Sequence, residues 1–356
     1  MAFKVTLKWH AVAAEIERQY GLDFVVAISE RNLLPAAEIR SRFNLYGKKP
    51  EEVILFRNKL KMKERLLQHG FRVPQFRSIT SPIEARGLLD MYKKIVLKPI
   101  DGMGSKNTFI VNEPSDLLYL EQCNLDFSNY EAEEFIDGEM YHIDSIIENG
   151  QICIASVFRY MNPTLDYNLS KPIGAVMEGN LQRVKVIKQF NEKILSCLGI
   201  TNGVTHLEIF YTPDNEIVFC EVAARPGGCA VAPAMMAAWD TNIIEEMIKT
   251  EVSIPLNQAH LPMKQYSGWV TFPPLPGVVE DISTEAEFNE DWIYECKIKP
   301  VIGDKLSSPY MSGDYVAKVT VTGSSEKEVF DRLSQIKKRF VLRVNKAPKQ
   351  GESYAG

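Results

Sequence analysis

Residues 205–228 read THLEIFYTPDNEIVFCEVAARPGG and decide the fold. Two apolar runs, Val204–Tyr211 and Glu216–Ala223, flank the turn-rich tetrapeptide TPDN, which predicts a β-hairpin. Each run contains one acid, Glu208 or Glu221. Because a carboxylate in a buried strand is costly unless a cation pairs with it, both acids need a partner.

The turn predicts which residues of the hairpin share a face. With TPDN as the loop, His206 is expected opposite Glu221, and alternation puts Glu208 and Arg225 on that same face. A slip of one residue would separate the two acids. Two carboxylates on one face suit Mg²⁺, which prefers oxygen ligands and phosphates. Pairing of each glutamate with a structural lysine or arginine explains the pattern equally well.

Composition excludes several classes of function. The 356 residues leave room for about two or three domains with cores of their own. The 46 acids exceed the 41 bases, which argues against broad binding to nucleic acid or to an anionic membrane. The cysteines form no CxxC pair, and no apolar run approaches the roughly 20 residues of a membrane span. A cytoplasmic location is therefore expected.

The N-terminal residues predict a short α/β unit. Apolar residues at helical spacing end at Gly21, Asp23–Ser29 is predicted to be a buried strand, and Leu33–Phe43 a second helix. No GxGxxG motif is present, so a dinucleotide fold is not expected.

A helix is predicted to follow this unit. Asn58 can cap it, and it extends from Lys59 to His69. Its lysines at positions 59, 61 and 63 predict mostly a solvated face.

The strand KIVLKP carries Lys98 and leads into a glycine-rich loop at 101–108. Gly102 and Gly104 would let backbone N–H groups close on an anion, and Lys98 would supply charge for phosphate. An ordinary hairpin tip with an exposed lysine is the alternative, because short glycine loops are common.

Strands are predicted at Glu131–Ile136 and Tyr141–Ile147, where His142 is more simply a half-buried side chain than a ligand. Residues 158–180 lack periodicity and predict a long loop, which in compact domains is a lid or is disordered. Residues 183–198 predict an amphipathic helix, and residues 263–356 a smaller strand-rich unit. The predicted domains are 1–57, 58–136, 137–262 and 263–356.

The order of these motifs resembles that of the ATP-grasp superfamily of ligases, over about residues 23–345. The matching motifs are the helix opening at Lys59, KIVLKP, DGMGS, EEFIDGE, HLEIF and EVAARPGG. Within the superfamily the RPGG motif and the C-terminal unit look most like carboxylate–amine ligases that join amino acids into dipeptides. The resemblance implies an α/β ATP-grasp fold with a short N-terminal α/β unit and a strand-rich C-terminal subdomain.

The resemblance also implies roles for individual residues. Lys59 and Lys98 match the lysines that hold the ATP phosphates. Glu208 and Glu221 match the ligands of Mg²⁺, with Mn²⁺ as an alternative metal. Arg225 matches the residue that steadies the transferred phosphoryl group or the substrate carboxylate. The remaining matches belong to the loop over the phosphates, the adenine hinge and the ribose position: Gly102, Gly104, Ser105 and Lys106; Glu133, Glu134, Phe135 and Ile136; Glu139 and His142.

The implied reaction converts a small carboxylate, such as an amino acid, to an acyl phosphate that an amine attacks, with His206 as the candidate general base. The expected partners are small molecules, and the resemblance allows a homodimer and a carrier-protein thiol as an alternative acceptor. Ala223 stands where many members have asparagine, which removes one oxygen ligand and favours a second hypothesis, a nucleotide-binding regulatory protein without turnover. A biotin-carboxylase-like enzyme is a third hypothesis.

Overall fold

The computed structural model describes residues 2–123, 126–256 and 262–345. The first part of the chain is helical, with short 3₁₀ turns at Glu30–Asn32 and Ile54–Phe56. Its helices are α1 (Ala2–Tyr20), α2 (Leu33–Arg42), α3 (Pro50–Val53) and α4 (Lys59–Gln68). Asn58 caps α4, because its side chain accepts a hydrogen bond from the backbone N–H of Lys61 at 3.0 Å.

The strand predicted over Asp23–Ser29 is wrong. Within the described residues this segment pairs with no strand. Alternate apolar side chains along it are exposed: Phe24, Val26 and Ile28. The carbonyl of Val25 accepts a hydrogen bond from Arg40 Nε at 2.9 Å, where a neighbouring strand would otherwise donate. The apolar composition indicated burial, yet a strand also needs a partner strand, which composition cannot supply.

A small sheet follows, in the order β1-β4-β2-β3. Its elements are β1 (Phe76–Ile79), β2 (Ile95–Pro99), β3 (Phe109–Val111) and β4 (Tyr130–Glu134), with helices α5 (Arg86–Tyr92) and α6 (Pro114–Gln122). One face of this sheet is apolar, with Leu97 and Ala132 packed in a core that includes Leu89 and Leu117 from the two helices. Because side chains alternate along a strand, the neighbours of those residues point to the opposite face, which is charged.

The second sheet has eight antiparallel strands. They are β5 (Glu139–Glu148), β6 (Gln151–Tyr160), β7 (Ile173–Met177), β8 (Gly203–Tyr211), β9 (Ile217–Ala223), β10 (Tyr266–Phe272), β12 (Ile293–Ile298) and β14 (Ala317–Gly323). Their order is β12-β14-β10-β7-β6-β5-β8-β9. Strands from the predicted C-terminal unit therefore continue the sheet that carries the hairpin, so the boundary predicted after residue 262 does not mark a break in the sheet.

The long loop predicted over 158–180 is wrong in part, because β7 lies within it. All five residues of β7 are buried between β6 and β10. A strand buried on both sides shows no apolar–polar alternation, so the sequence offered no periodicity to detect. Gly174 permits the close pairing with β10, since a Cβ there would lie 2.8 Å from the Trp269 carbonyl oxygen.

Helices cover both faces of the large sheet. They are α7 (Leu181–Cys197), α8 (Val231–Trp239), α9 (Ile243–Glu251) and α10 (Glu326–Arg339). Leu66 of α4 and Ile187 of α7 share one core, whereas Met235 of α8 and Ile243 of α9 share another. A short third sheet contains β11 (Gly277–Ile282), β13 (Lys305–Leu306) and β15 (Leu342–Asn345). Among the helices of the described residues, none combines the length and apolarity needed to cross a bilayer.

Candidate active site

The hairpin of β8 and β9 brings the two strand acids directly opposite each other. The predicted register is wrong: Tyr211 pairs with Ile217, and His206 lies opposite Ala223 instead of Glu221. The register then shifts at a β-bulge, so that Glu208 pairs with Glu221. The slip and the bulge each move the register by one residue in the same direction, and a shift of two residues keeps both acids on one face, as expected.

The bulge lies beside an edge contact. Ile209 pairs with Phe219 and Glu208 with Glu221, which leaves Cys220 as the extra residue. On its outer side the Phe219 N–H donates to the carbonyl of Arg72 at 3.0 Å. The backbone of the edge strand therefore bonds to β8 on one side and to Arg72 on the other. Nothing in the hairpin sequence indicates the contact with Arg72.

Glu221 lies in a cluster of cations. Lys59 Nζ is 2.8 Å from Glu221 Oε2, and Lys59 also donates to the Gly102 carbonyl at 2.9 Å. Burial opposes ionisation of Glu221, but the charges of Lys59 and Lys98 outweigh it and lower the pKa of the carboxyl to about 2. Glu221 is therefore an anion at neutral pH and could bind a divalent cation.

Arg225 belongs to a second ion-pair cluster next to the first. Its Nε lies 2.5 Å from Glu30 Oε2, and Glu30 also pairs with Arg57. Glu30 is buried, and together with the two arginines it lines a small cavity that reaches Glu221 and Lys59. Cations for a carboxylate or a phosphoryl group thus lie beside the paired acids.

Glu208 contacts a different set of groups. The Tyr160 hydroxyl donates to Glu208 Oε1 at 2.8 Å, and His206 Nε2 lies 3.6 Å from the same oxygen. His206 Nδ1 is in turn 2.8 Å from Asp144 Oδ1, and His142 Nδ1 is 2.6 Å from Asp144 Oδ2. The ligand atoms of Asp144 and the two histidines lie within 4.8 Å of one another, but both contacts are hydrogen bonds, so we interpret the group as a hydrogen-bonded cluster.

Burial and charge set the protonation of this cluster. Burial lowers the pKa of His206, yet Asp144 more than compensates and raises it to about 10. Burial lowers the pKa of His142, which Asp144 offsets only in part. Burial opposes ionisation of Asp144, but the two histidines hold its pKa below the usual range. His206 is thus a cation at neutral pH and is poorly suited to accept a proton as a general base. Gly227 of the RPGG motif lies so close that a Cβ there would be 2.7 Å from His206 Nδ1.

The pKa of His206 predicts how stability depends on pH. Because the pKa is raised from 6.5 to about 10 on folding, its stabilisation is fully present below about pH 6.5 and is lost as pH rises toward about 10. We expect the unfolding free energy of the wild type to fall more steeply between pH 7 and 10 than that of His206→Gln. Urea unfolding at both pH values measures the difference, and parallel slopes would show that His206 is not charged in the folded state.

Lys98 also lies beside carboxylates. Its Nζ is 2.5 Å from Glu133 Oε1, and despite burial the charge of Glu133 raises the pKa of Lys98 well above its usual value. Both side chains lie on the charged face of the small sheet, and Glu133 also contacts Lys63. The alternative of an exposed lysine at a hairpin tip does not apply, because Lys98 is buried.

The other residues predicted for the adenine hinge point elsewhere. Glu134 accepts a hydrogen bond from Arg72 Nη2 at 2.9 Å. The Phe135 ring faces Lys94 Nζ at 3.5 Å, and Ile136 is buried. Among the described contacts of these four residues, Glu133 is therefore the one linked to the lysine cluster.

The glycine-rich loop crosses to the C-terminal part of the chain. Gly104 and Ser105 adopt left-handed conformations with φ of 60° and 54°. Its contacts with later parts of the chain include Ser312 N–H to the Gly104 carbonyl at 2.9 Å, the Tyr167 hydroxyl to the Ser105 carbonyl at 3.2 Å, and Lys106 Nζ over the Tyr310 ring at 3.3 Å. The loop is therefore docked against residues 167 and 310–312.

Glu139 and His142, the residues predicted for the ribose position, do not form a site together. Glu139 pairs with Arg183 at 3.0 Å on the protein surface. His142 is fully buried and stacks on Phe158 with ring centroids 4.9 Å apart. The imidazole of His142 thus has no surface to offer a ribose.

Sequence reasoning missed several residues that the structure brings to the site. They are Glu30, Lys63, Glu131, Asp144 and Tyr160. A signal existed for Lys63, which follows Lys59 by one helical turn and lies next to the buried Met62. A signal also existed for Asp144, an acid two residues from His142 within an apolar strand. Glu30 and Tyr160 carried no local signal.

Comparison with known proteins identifies a domain family and similar sequences. The ATP-grasp domain family matches residues 56–229. An L-arginine-specific L-amino acid ligase of Bacillus subtilis is 25% identical over 341 residues, which cover 93% of this chain and 82% of that protein.

Solved structures show the same fold. The L-amino acid ligase from Bacillus licheniformis has a TM-score of 0.80 at 20% identity, covering 94% of this chain and 84% of that one. The biotin carboxylase domain of the Hydrogenobacter thermophilus 2-oxoglutarate carboxylase, in complex with MgADP, has a TM-score of 0.72 at 13% identity, covering 95% and 78%. The predicted fold class and superfamily are confirmed. This chain contains an ATP-grasp domain over residues 56–229 and is similar over most of its length to L-amino acid ligases.

Proposed function

We propose that this protein is an ATP- and Mg²⁺-dependent ligase that activates a small carboxylate as an acyl phosphate and couples it to an amine. The observation that carries the proposal is the pairing of Glu208 with Glu221 across two strands, with Lys59 2.8 Å from Glu221 and Arg225 nearby. Two hard oxygen donors beside cationic side chains fit a metal–triphosphate complex better than a structural ion pair does.

The lysines and the loop would hold the nucleotide. Lys59 and Lys98 are proposed to bind the phosphates, and the loop with Gly102, Gly104, Ser105 and Lys106 to cover them. Glu133 is the proposed hinge residue, together with the backbone of residues 134–136. A docked loop would exclude water, which would otherwise hydrolyse the acyl phosphate.

Glu208 and Glu221 are the proposed metal ligands. Their carboxylates are the kind of donor that Mg²⁺ prefers, and Mn²⁺ would fit the same pair. The metal, when bound, would neutralise charge that develops on the phosphates. Ala223 supplies no oxygen, so two protein carboxylates are the proposed ligand set.

The substrate carboxylate is proposed to lie beside Arg225. One of its oxygens would attack the γ-phosphorus, the bond to the bridging oxygen would break, and ADP would leave. The amine nitrogen would then attack the acyl carbon, expel phosphate and lose a proton. Arg225 and the imidazolium of His206 would neutralise charge during these steps.

An amino acid is the proposed carboxylate, supported by the similarity to two proteins described as L-amino acid ligases. Arginine is the first candidate because one of those proteins is described as specific for it. A cytoplasmic location is also proposed, supported by six cysteines that all carry free thiols. The homodimer stays a prediction.

A phosphate-release screen tests the proposal. The protein, ATP and Mg²⁺ are incubated with amino acids singly and in pairs, with arginine in the first set and mass detection of products. ADP, phosphate and a dipeptide are expected only when both a carboxylate and an amine are present. ATP cleavage indifferent to every amino acid would contradict the proposal, and cleavage dependent on bicarbonate would favour a carboxylase.

A nucleotide-binding protein without turnover is the second candidate, favoured by Ala223. Titration of Mg²⁺ and ATP beside the hydrolysis assay separates the two. Tight binding with no product for any acceptor, including a carrier-protein thiol, would support this second candidate.

A further inference from the structure

The charged face of the small sheet carries four buried ionisable side chains, here called the buried quartet: Lys63, Lys98, Glu131 and Glu133. Lys63 comes from α4, Lys98 from β2 and the two glutamates from β4. The side chains of Lys63 and Glu131 are completely buried, and those of Lys98 and Glu133 nearly so. The prediction that Lys59 and Lys63 lie on a solvated face is therefore wrong, although Lys61 is exposed.

Within the buried quartet, Glu133 forms ion pairs with both lysines. Lys63 Nζ lies 2.6 Å from Glu133 Oε2, and Lys98 Nζ lies 2.5 Å from Glu133 Oε1. Glu131 Oε2 is 2.8 Å from Lys63 Nζ, an ion-pair contact without hydrogen-bond geometry, and Glu131 Oε1 is 3.9 Å from Lys98 Nζ. Two positive and two negative charges are thus balanced within one buried group.

This charge balance matters because both Glu133 and a bound polyphosphate would compete for the charge of Lys98. Removing one partner from a buried ion pair leaves an uncompensated charge, which is strongly unfavourable. If Lys98 turns toward a polyphosphate, Glu133 loses one of its two cations but keeps Lys63. Without Lys63, the same movement would leave both glutamates without a lysine beside them.

We propose that Lys63 is a positioning residue that neutralises Glu133 and so leaves Lys98 free to bind a polyphosphate. This inference rests on the proposed function, because it assumes that Lys98 binds nucleotide phosphate. The Lys63 side chain has no exposed surface, so we do not expect it to touch the nucleotide itself. Burial raises the pKa of Glu131, whereas Lys63 and Lys98 overcome burial and lower the pKa of Glu133, so Glu133 is the stronger acid of the two.

A double-mutant cycle tests the inference. Binding of Mg²⁺ with a non-hydrolysable ATP analogue is titrated calorimetrically for the wild type, Lys63→Met, Lys98→Ala and the double variant. We expect Lys63→Met to weaken binding by about tenfold when Lys98 is present, and by less than about twofold in the Lys98→Ala background. Additive effects would show that Lys63 acts independently of Lys98 and would overturn the proposal.

Two further variants serve as controls for this experiment. Lys61→Met, on the exposed side of the same helix, is the matched control and should bind like the wild type. Lys63→Met/Glu131→Gln removes one positive and one negative charge, so this double variant should fold even if Lys63→Met alone unfolds. It should still bind the analogue weakly, because Lys98 is then the only lysine beside Glu133. Wild-type affinity in this double variant would refute the role of Lys63 while leaving the proposed function intact. Failure of the folded wild type to bind the analogue would instead refute the proposed function, and this inference with it.

Discussion

Replacing Glu221 with glutamine is expected to reduce ATP turnover by about 100-fold or more, which corresponds to about 2.7 kcal/mol in the barrier. The change removes one negative charge and almost no volume. Glu221 lies opposite Glu208 and carries a carboxyl with a pKa of about 2, so the wild type presents a full charge to a metal at neutral pH. The glutamine amide would bind Mg²⁺ more weakly than the carboxylate, and it would not neutralise the positive charges of Lys59 and Lys98.

The same variant should keep its fold. The Glu221 side chain is 31% exposed and that of Lys59 is 8% exposed, so loss of their half-buried ion pair is expected to cost about 1–3 kcal/mol in unfolding free energy. The measurements are ADP formation against Mg²⁺ concentration and urea unfolding. Glu216→Gln is the matched control, because this exposed acid immediately precedes β9 and pairs only loosely with Arg72 at 3.6 Å. Unfolding of Glu221→Gln with little change in the activity of the folded fraction would favour a structural salt bridge.

Replacing Lys98 with alanine is expected to weaken ATP binding by about tenfold to 100-fold, as loss of a charged phosphate contact does. The cation lies at the end of β2 next to the glycine-rich loop and within electrostatic reach of Glu221. The variant should still fold, because Glu133 retains Lys63 at 2.6 Å.

Lys61→Ala provides the comparison for Lys98→Ala. Lys61 is exposed and lies on α4, so its removal should change ATP affinity by less than about twofold. Affinities from calorimetry decide the matter. If both alanine variants bind ATP equally well, Lys98 has no direct role in phosphate binding.

The fold was predictable because its signature motifs are local in sequence. Apart from the helix opening at Lys59, each matched segment is part of a strand with its adjoining turn, such as KIVLKP with the loop at 101–108, or the hairpin with its two acids. Turn residues and apolar runs encode such units directly. The order of several such units then points to one superfamily more strongly than any single motif does.

The register of the hairpin was not predictable from its own sequence. The loop TPDN gave one pairing, and the structure adds a bulge at Cys220 that moves Glu221 opposite Glu208. The edge contact of Phe219 with Arg72 comes from a residue about 150 positions away, which no rule for hairpin turns includes.

The partners of the charged residues were mostly unpredictable for the same reason. Glu30 meets Arg225 across 195 positions, and Asp144 meets His206 across 62. The sequence shows that a strand acid needs a cation, but not which one. Lys63 could have been placed by helical spacing, because it shares the inward side of α4 with Lys59 and Met62.

The pairing of β7 with β10 has a consequence for dissection of the chain. The four backbone contacts between Ile173–Val176 and Gly268–Thr271 join residues about 95 positions apart in the middle of one sheet. A protein that lacks everything after residue 256 would expose β7 as an unpaired, apolar edge strand, which favours association between molecules. We therefore expect such a fragment to aggregate rather than persist as a smaller nucleotide-binding protein.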